Sequence, residues 1–248
     1  MSYDTRIRYG ADWYGNVDGV RVFRVDTDTA PARDTQAIEI PGRSGDLILD
    51  NKKYHNVDMV YTFVFYNGRN SLAEGNVIDT KRRLLSSSGY KRLVDNTYPD
   101  EFYMAVIKKD FEPVFSPDRN MAKMTVTFNR KPQRFLTSGN TRIHGTKDTA
   151  ATQSETIDNP YSTIAQPLFQ IYGTGTFKVN DQIITINSAD EYTMIDSEMM
   201  DCYKDSVSKN ANVTFSNHEF PVLTDGTNTL EFGPGITEWY VTPRLWRL

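Results

Sequence analysis

Several things are scarce in this sequence, and each scarcity closes off a class of function. The 248 residues include one cysteine, Cys202, so no disulfide can form within the chain, and a disulfide-stapled scaffold or multi-cysteine zinc site is excluded. The fold must stand on packing alone. The three histidines, His55, His144 and His218, are far apart in sequence, and none has a second His or Cys at ligand spacing, so no metal site is expected. No apolar run approaches the roughly 20 residues needed to cross a bilayer, and the opening MSYDTRIRYG has no apolar signal region. No membrane insertion is expected, and the chain should be made and assembled in a cytosol-like compartment. Neither sign of charge dominates: 28 basic and 32 acidic side chains give a net charge of -4. They are mixed along the length, so no basic stripe is available to grip phosphates and direct nucleic-acid binding is not expected.

Catalytic signatures are missing too. There is no G-x-S-x-G elbow, and Cys202 sits in the irregular apolar stretch Met199-Met200-Asp201-Cys202-Tyr203. Gly42 and Gly45, like Gly173 and Gly175, lie beside strands with no following helix whose N-terminus could hold a phosphate. No catalytic residue, cofactor or metal site is therefore expected. The acids Asp190, Glu191, Asp196, Glu198, Asp201 and Asp205 crowd one window. Glycoside hydrolysis needs two carboxyls, but acid-rich turns that keep sheet edges soluble are the commoner explanation. Trp239, Tyr240 and Trp246 could stack on a sugar ring or anchor a core near a terminal strand.

What is present is aromatic and β-patterned. With 38% apolar residues, 13 Phe and 14 Tyr, the chain can bury cores, and its length suits two domains. In 57–66, Val57, Met59, Tyr61, Phe63 and Phe65 alternate with partners that are themselves partly apolar, the pattern of a central strand. Val20, Val22 and Arg24 share one strand face, as do Met124, Val126 and Phe128. Ser71-Leu72-Ala73-Glu74 has capping-box spacing. It opens a helix of about three to four turns with Val77, Ile78, Lys81, Leu84 and Leu85 on one side and Gly89 near its end. Segments 91–94 and 102–108 flank a turn-rich stretch and predict a hairpin. Residues 137–166 are rich in Ser, Thr, Asn, Gly and Asp and read as a polar linker. Beyond it, short strands at 168–172, 176–179, 183–186, 192–196, 213–215, 229–232 and 238–242, separated by turns, predict a jelly-roll-like or lectin-like sandwich with no helix.

The KPQRFL run at 131–136, Asn159-Pro160 and then PLFQIYGTGTFKVN from Pro167 resemble the distal tail protein (Dit) family of long-tailed, non-contractile bacteriophages. The IPGRSGDL loop at 40–47, Ile195-Asp196-Ser197-Glu198, and the close from Phe220-Pro221-Val222-Leu223 to Val241-Thr242-Pro243-Arg244-Leu245-Trp246 agree with that family in the same order. Ser44 stands where an acid is frequent, and Leu245 where an aromatic often precedes the Trp. The resemblance implies a mainly β protein: an N-terminal split β-barrel belt domain with one helix over 1–136, the linker 137–166, and a galectin-like β-sandwich over 167–248.

It further implies a homo-hexameric ring at the virion tail tip, joining the tail tube protein or tail terminus to tip, baseplate or receptor-binding proteins. DNA would pass through the lumen without specific binding. The alternative is a host cell-wall carbohydrate-binding module on the same fold. Ile40, Pro41, Gly42, Arg43, Gly45, Asp46 and Leu47, with the linker, are the candidate contacts to a neighbouring subunit or the tube, since glycines let backbones approach closely. They could equally be ordinary turns within one subunit. The linker would serve as a flexible join.

Overall fold

Alternation along 57–66 buries Val57, Met59, Tyr61, Phe63 and Phe65, and Met124, Val126 and Phe128 on the facing strand are fully buried against them. Burying each such side chain stabilises the fold by roughly 1.5–3 kcal/mol, so these two strands form the axis of the first core. The computed structural model describes residues 3–25, 29–68, 72–86 and 88–248. The chain divides into two compact units, 1–134 with residue 248, and 135–247.

The first unit contains β1 (Tyr3–Thr5), β2 (Ile7–Tyr9), β3 (Asp12–Tyr14), β4 (Val20–Arg24), β5 (Arg33–Ile38), β6 (Leu47–Tyr54), β7 (Val57–Tyr66), α1 (Ala73–Leu84), β8 (Lys91–Asp95), β9 (Glu101–Ile107), β10 (Pro113–Phe115) and β11 (Met121–Arg130). The main sheet runs β1-β4-β7-β11-β9-β8-β2-β3, antiparallel throughout. Only Arg6 separates β1 from β2, yet β1 pairs with β4 at one end of the sheet and β2 with β8 at the other. Residues 3–9 therefore close the sheet into a barrel. One edge of β11 is shared, by β9 at Phe128–Arg130 and by β10 at Met124–Ala122, which splits the wall.

A buried carboxylate stands at the closure. Asp95 accepts from the Thr5 hydroxyl at 2.9 Å, the Tyr61 hydroxyl at 2.7 Å and the Thr97 N–H at 2.8 Å, with Arg24 at 3.7 Å. The sequence reading put Arg24 on the face of Val20 and Val22, and Asp95 is the reason a charged residue can sit there.

Helix α1 buries Ala73, Val77, Thr80 and Leu84 and leaves Ile78 and Leu85 exposed, so its inward face is rotated from the one expected. Ser71, the expected cap, lies outside the described residues. The Ala73 N–H donates instead to the Asn67 side chain at 2.9 Å. The helix ends at a Leu85 cap, four residues before Gly89.

The second unit begins within β12 (Arg134–Leu136). Its strands are β13 (Ile143–Thr146), β14 (Gln153–Asn159), β15 (Leu168–Gly173), β16 (Gly175–Val179), β17 (Gln182–Ile186), β18 (Tyr192–Asp196), β19 (Asp201–Lys204), β20 (Val207–Ser208), β21 (Val213–Phe215), β22 (Gly226–Phe232), β23 (Ile236–Thr242) and β24 (Trp246–Arg247). A six-stranded sheet, β13-β23-β15-β18-β19-β20, and a five-stranded sheet, β14-β22-β16-β17-β21, enclose one core around Phe169, Phe177, Phe232 and Trp239. This is a β-sandwich.

The segment 137–166 is not a linker. It supplies β13 and β14, a strand to each sheet, and buries Ile157, Asn159 and Ala165. Its polar composition hid this because Asn159 is fully buried with its amide donating to the Thr163 carbonyl at 2.7 Å. A satisfied buried amide leaves no apolar signature.

Candidate assembly surface

β4 and β7 are neighbours in the barrel, and the chain between them makes an excursion. As it leaves the barrel the Val25 N–H donates to the Val60 carbonyl at 3.0 Å, and it returns at Val57. In between, among the described residues, β5 and β6 pair only with each other. Every residue from Pro41 to Lys53 is exposed, and the strands set Ile38 opposite Leu47, Ala37 opposite Ile48 and Gln36 opposite Leu49. Ile38, Leu47, Ile48 and Leu49 are 37%, 41%, 57% and 45% exposed. A lone two-stranded hairpin is at best marginally stable in water, and a cluster of exposed aliphatics marks an interaction surface.

The hairpin is pinned at its root by polar contacts. Arg33 pairs with Asp50 at 2.6 Å and donates to the Tyr54 hydroxyl at 2.8 Å, and Lys53 meets Asp34 at 3.0 Å. The Lys53 ammonium and the Asn51 amide hold the Asp34 carboxyl below its ordinary pKa. At the tip, the Arg43 N–H donates to the Ile40 carbonyl at 3.1 Å with Pro41 and left-handed Gly42 (φ +79°) between them, the pattern of a type II turn. Gly45 is left-handed as well (φ +84°). All seven sequence-nominated contacts thus lie at one projecting tip. The sequence reading missed the aliphatic sides of the hairpin behind it.

The outer wall of the barrel carries a depression of about 380 Å³ lined by Phe23, Val25, Thr62, Val64 and Lys123. Val25 is 52% exposed. These residues come from β4, β7 and β11 and their margins, on the face opposite the core.

The other nominated residues separate. Trp239 is fully buried, stacked on Phe232 with centroids 4.0 Å apart, and an added Cβ on Gly145 would overlap its ring. It is a core residue, which removes it as a saccharide contact. Trp246 is partly buried, and its Nε1 donates to the Ile164 carbonyl at 3.1 Å. Tyr240 lines an outward depression.

The acids are occupied. Asp196 is held by Arg244, Asp201 accepts from Asn210, Asp205 accepts from the Tyr192 hydroxyl, and Lys204 pairs with Asp190 and Glu191. Cys202 is fully buried, and burial, aided by Asp201, pushes its thiol pKa up to about 12. That is the opposite of what a nucleophile needs. His144 pairs with Glu238 at 2.9 Å, His55 lies 3.8 Å from Asp34, and His218 occupies a left-handed turn. Among the described residues no group of three His, Cys, Asp or Glu is placed to hold a metal, and no helix is long and apolar enough to cross a membrane.

No protein-family model and no curated protein matches the sequence. Among solved structures, the chain is similar to the SPP1 Dit (gp 19.1) protein, described as a paradigm of the hub adsorption apparatus in phages infecting Gram-positive bacteria. The TM-score is 0.65 at 11% identity, over 99% of this chain and 100% of that one. From the closed barrel through the sandwich, this chain has the Dit fold.

Proposed function

We propose that this chain is a structural hub of a phage tail, located in the virion at the tail tip. In this reading it forms a hexameric ring that joins the end of the tail tube to tip or baseplate proteins and leaves a central channel for DNA. The observation that carries the reading is the correspondence with SPP1 Dit, which covers 99% of this chain and 100% of that one. The projecting hairpin supports it independently, because Ile38, Leu47 and Leu49 on one face of it, and Ile48 on the other, are exposed aliphatics that a partner would cover.

The ring closes when each hairpin lies against the next subunit's barrel wall, over Phe23, Val25 and Val64. Hairpin and depression are different surfaces of one chain, so the contact is heterologous and closes only if the rotation between neighbours closes. Covering each partly exposed aliphatic contributes roughly 1 kcal/mol. The 40–47 tip then reaches the neighbouring subunit or the tube, with Gly42 and Gly45 allowing close backbone approach. DNA moves through without specific binding, consistent with the absence of a basic stripe in a chain of net charge -4. Subunits assemble in the host cytoplasm, and the protein performs no catalysis.

Size-exclusion chromatography with light scattering and negative-stain imaging test this directly. The expected result is a ring of about six copies. A strictly monomeric species at high concentration, with tube and tip proteins present, overturns it.

A further inference from the structure

A second stretch of the barrel's outer wall, over β3, β2 and β8, gathers arginines that lie far apart in the sequence. Ile7, Tyr9, Tyr14 and Leu93 face the core, so alternation turns Arg8, Trp13, Arg92 and Val94 outward. The registers set Arg8 between Trp13 on β3 and Val94 on β8, and Arg92 opposite Met104 on β9. Burial alternates without a break from Thr5 to Tyr9, so Arg6 and Arg8 project from one side about 6.7 Å apart.

The guanidinium groups are held in place. The Arg6 guanidinium carbon lies 4.5 Å from the centroid of Trp13, and that of Arg92 lies 3.9 Å from the centroid of Phe102. The Arg8 Nε donates to the Gly10 carbonyl at 3.2 Å. A guanidinium stacked on a ring still presents its planar N–H edge to a carboxylate.

The acids of this region are turned to other partners. Asp12 faces Arg83, Asp95 accepts from Thr5 and Tyr61 inside the barrel, and Glu101 faces Arg134. Among the described residues, the Arg6 and Arg8 side chains have a ring and a carbonyl as their contacts. Burial, and the Arg8 charge beside it, lower the pKa of Arg92. Like charges are thus collected on one wall, and an anionic partner would relieve their repulsion.

Apolar side chains separate the cations: Trp13 is 40% exposed, and Val94 and Met104 are half-buried. A phosphate backbone makes no use of them, and this cluster falls short of the extended basic stripe that a duplex requires. Protein interfaces, by contrast, draw much of their binding energy from Trp and Arg. We propose that this wall docks an extended acidic segment of a partner protein. Carboxylates on alternate residues of the segment meet Arg6 and Arg8, and neighbouring side chains cover Trp13 and Val94. The contact uses neither the hairpin nor the Phe23 wall assigned to ring closure.

The test is fluorescence anisotropy of a labelled peptide of alternating Glu and Thr, titrated with the full-length protein. A peptide of the same composition with its Glu residues in one block, and a labelled DNA duplex, are the comparisons. The alternating peptide should bind saturably, more weakly as salt is raised, and the other two should bind less well. Arg6→Gln combined with Arg8→Gln should weaken binding about tenfold or more, the loss expected for charged hydrogen bonds. Arg6→Lys combined with Arg8→Lys should retain part of it, and Arg82→Gln, on the helix, should leave it unchanged. All three arginines are exposed, and unchanged melting will confirm folding. No saturable binding of the alternating peptide, equal binding of the block peptide, tighter binding of DNA, or unchanged binding in the double Gln variant overturns the proposal. Light scattering on the same samples should report one oligomeric state for natural and variant proteins. Loss of the oligomer in the double Gln variant would make the wall a subunit contact and also overturns the proposal, whereas a monomeric natural protein that binds the peptide would defeat only the ring.

Discussion

Arg244 holds Asp196 through both terminal guanidinium nitrogens, at 2.6 and 2.9 Å, and Glu198 approaches the same guanidinium at 3.5 Å. The two acids that a glycosidase reading would use therefore share one arginine. Asp196 also accepts the N–H groups of Glu198 and Met199, at 3.0 and 3.1 Å. A general acid needs a raised pKa. Burial of Asp196 pulls that way, but Arg244 and the two backbone donors outweigh it, and its pKa is lowered.

The pair should therefore govern the acid stability of the sandwich. A lowered folded-state pKa contributes stability that is fully present above the unfolded carboxyl value, about 3.9, and is lost as pH falls through the folded value. Urea unfolding followed from neutral pH to below pH 4 should show this loss in the natural protein. Asp196→Asn should show less of it and be less stable at neutral pH. Asp196→Ala, which takes the bidentate partner from the mostly buried Arg244 and leaves it the longer contact with Glu198, should cost more than Asp196→Asn.

Replacing residues 33–54 by a short turn should leave the barrel folded, because among the described residues the hairpin pairs with no barrel strand. The double substitution Ile48→Asp with Leu49→Asp should act alike. In both, light scattering is expected to report monomers while far-UV circular dichroism stays β-rich. A ring that persists in both would remove the hairpin from assembly.

At the barrel closure, Asp95→Ala would remove the buried carboxylate that accepts from the Thr5 and Tyr61 hydroxyls and the Thr97 N–H and that faces Arg24. A loss of about 3–5 kcal/mol is expected, read from denaturant midpoints of the first unit. Asp95→Asn keeps the shape and part of the hydrogen bonding and should lose less.

Gly173, Gly175 and Gly235 meet back to back. An added Cβ on Gly173 would strike the Gly235 carbonyl, one on Gly175 the Pro234 carbonyl, and one on Gly235 the Thr174 carbonyl. Gly235 is left-handed as well (φ +87°). Gly235→Ala should destabilise the sandwich by at least about 2 kcal/mol, whereas Gly226→Ala, with open space around it, should cost less. Thermal melting of the two variants makes the comparison.

Cys202 should resist alkylation at neutral pH, since its thiol is buried with a pKa near 12. Labelling with a maleimide should occur only after denaturant unfolds the sandwich, as mass spectrometry would show.

Where side chains alternate, the fold was legible. Strands β7 and β11 announced themselves because Val57 to Phe65 on one, and Ala122 to Phe128 on the other, put an unbroken apolar row on one face. The same rule separates Trp239 from Tyr240: Trp239 is in phase with buried Val241, and Tyr240 with Glu238 and Thr242. β14 was hidden, because a strand that buries Asn159 looks like a loop. The hairpin's aliphatics Ile38, Ile48 and Leu49 drew no attention in the sequence, because only the strand pairing shows them exposed on an arm that pairs with itself.

The hydrogen bond from Val25 to Val60 closes the barrel wall before the hairpin begins. The arm is therefore a cassette in evolutionary terms. Insertions, deletions and tip exchanges between the departure near Val25 and the return at Val57 need not shift the register of any barrel strand. Two related chains can keep one interior while acquiring different neighbours, so divergence should concentrate in the arm and spare the wall beneath it.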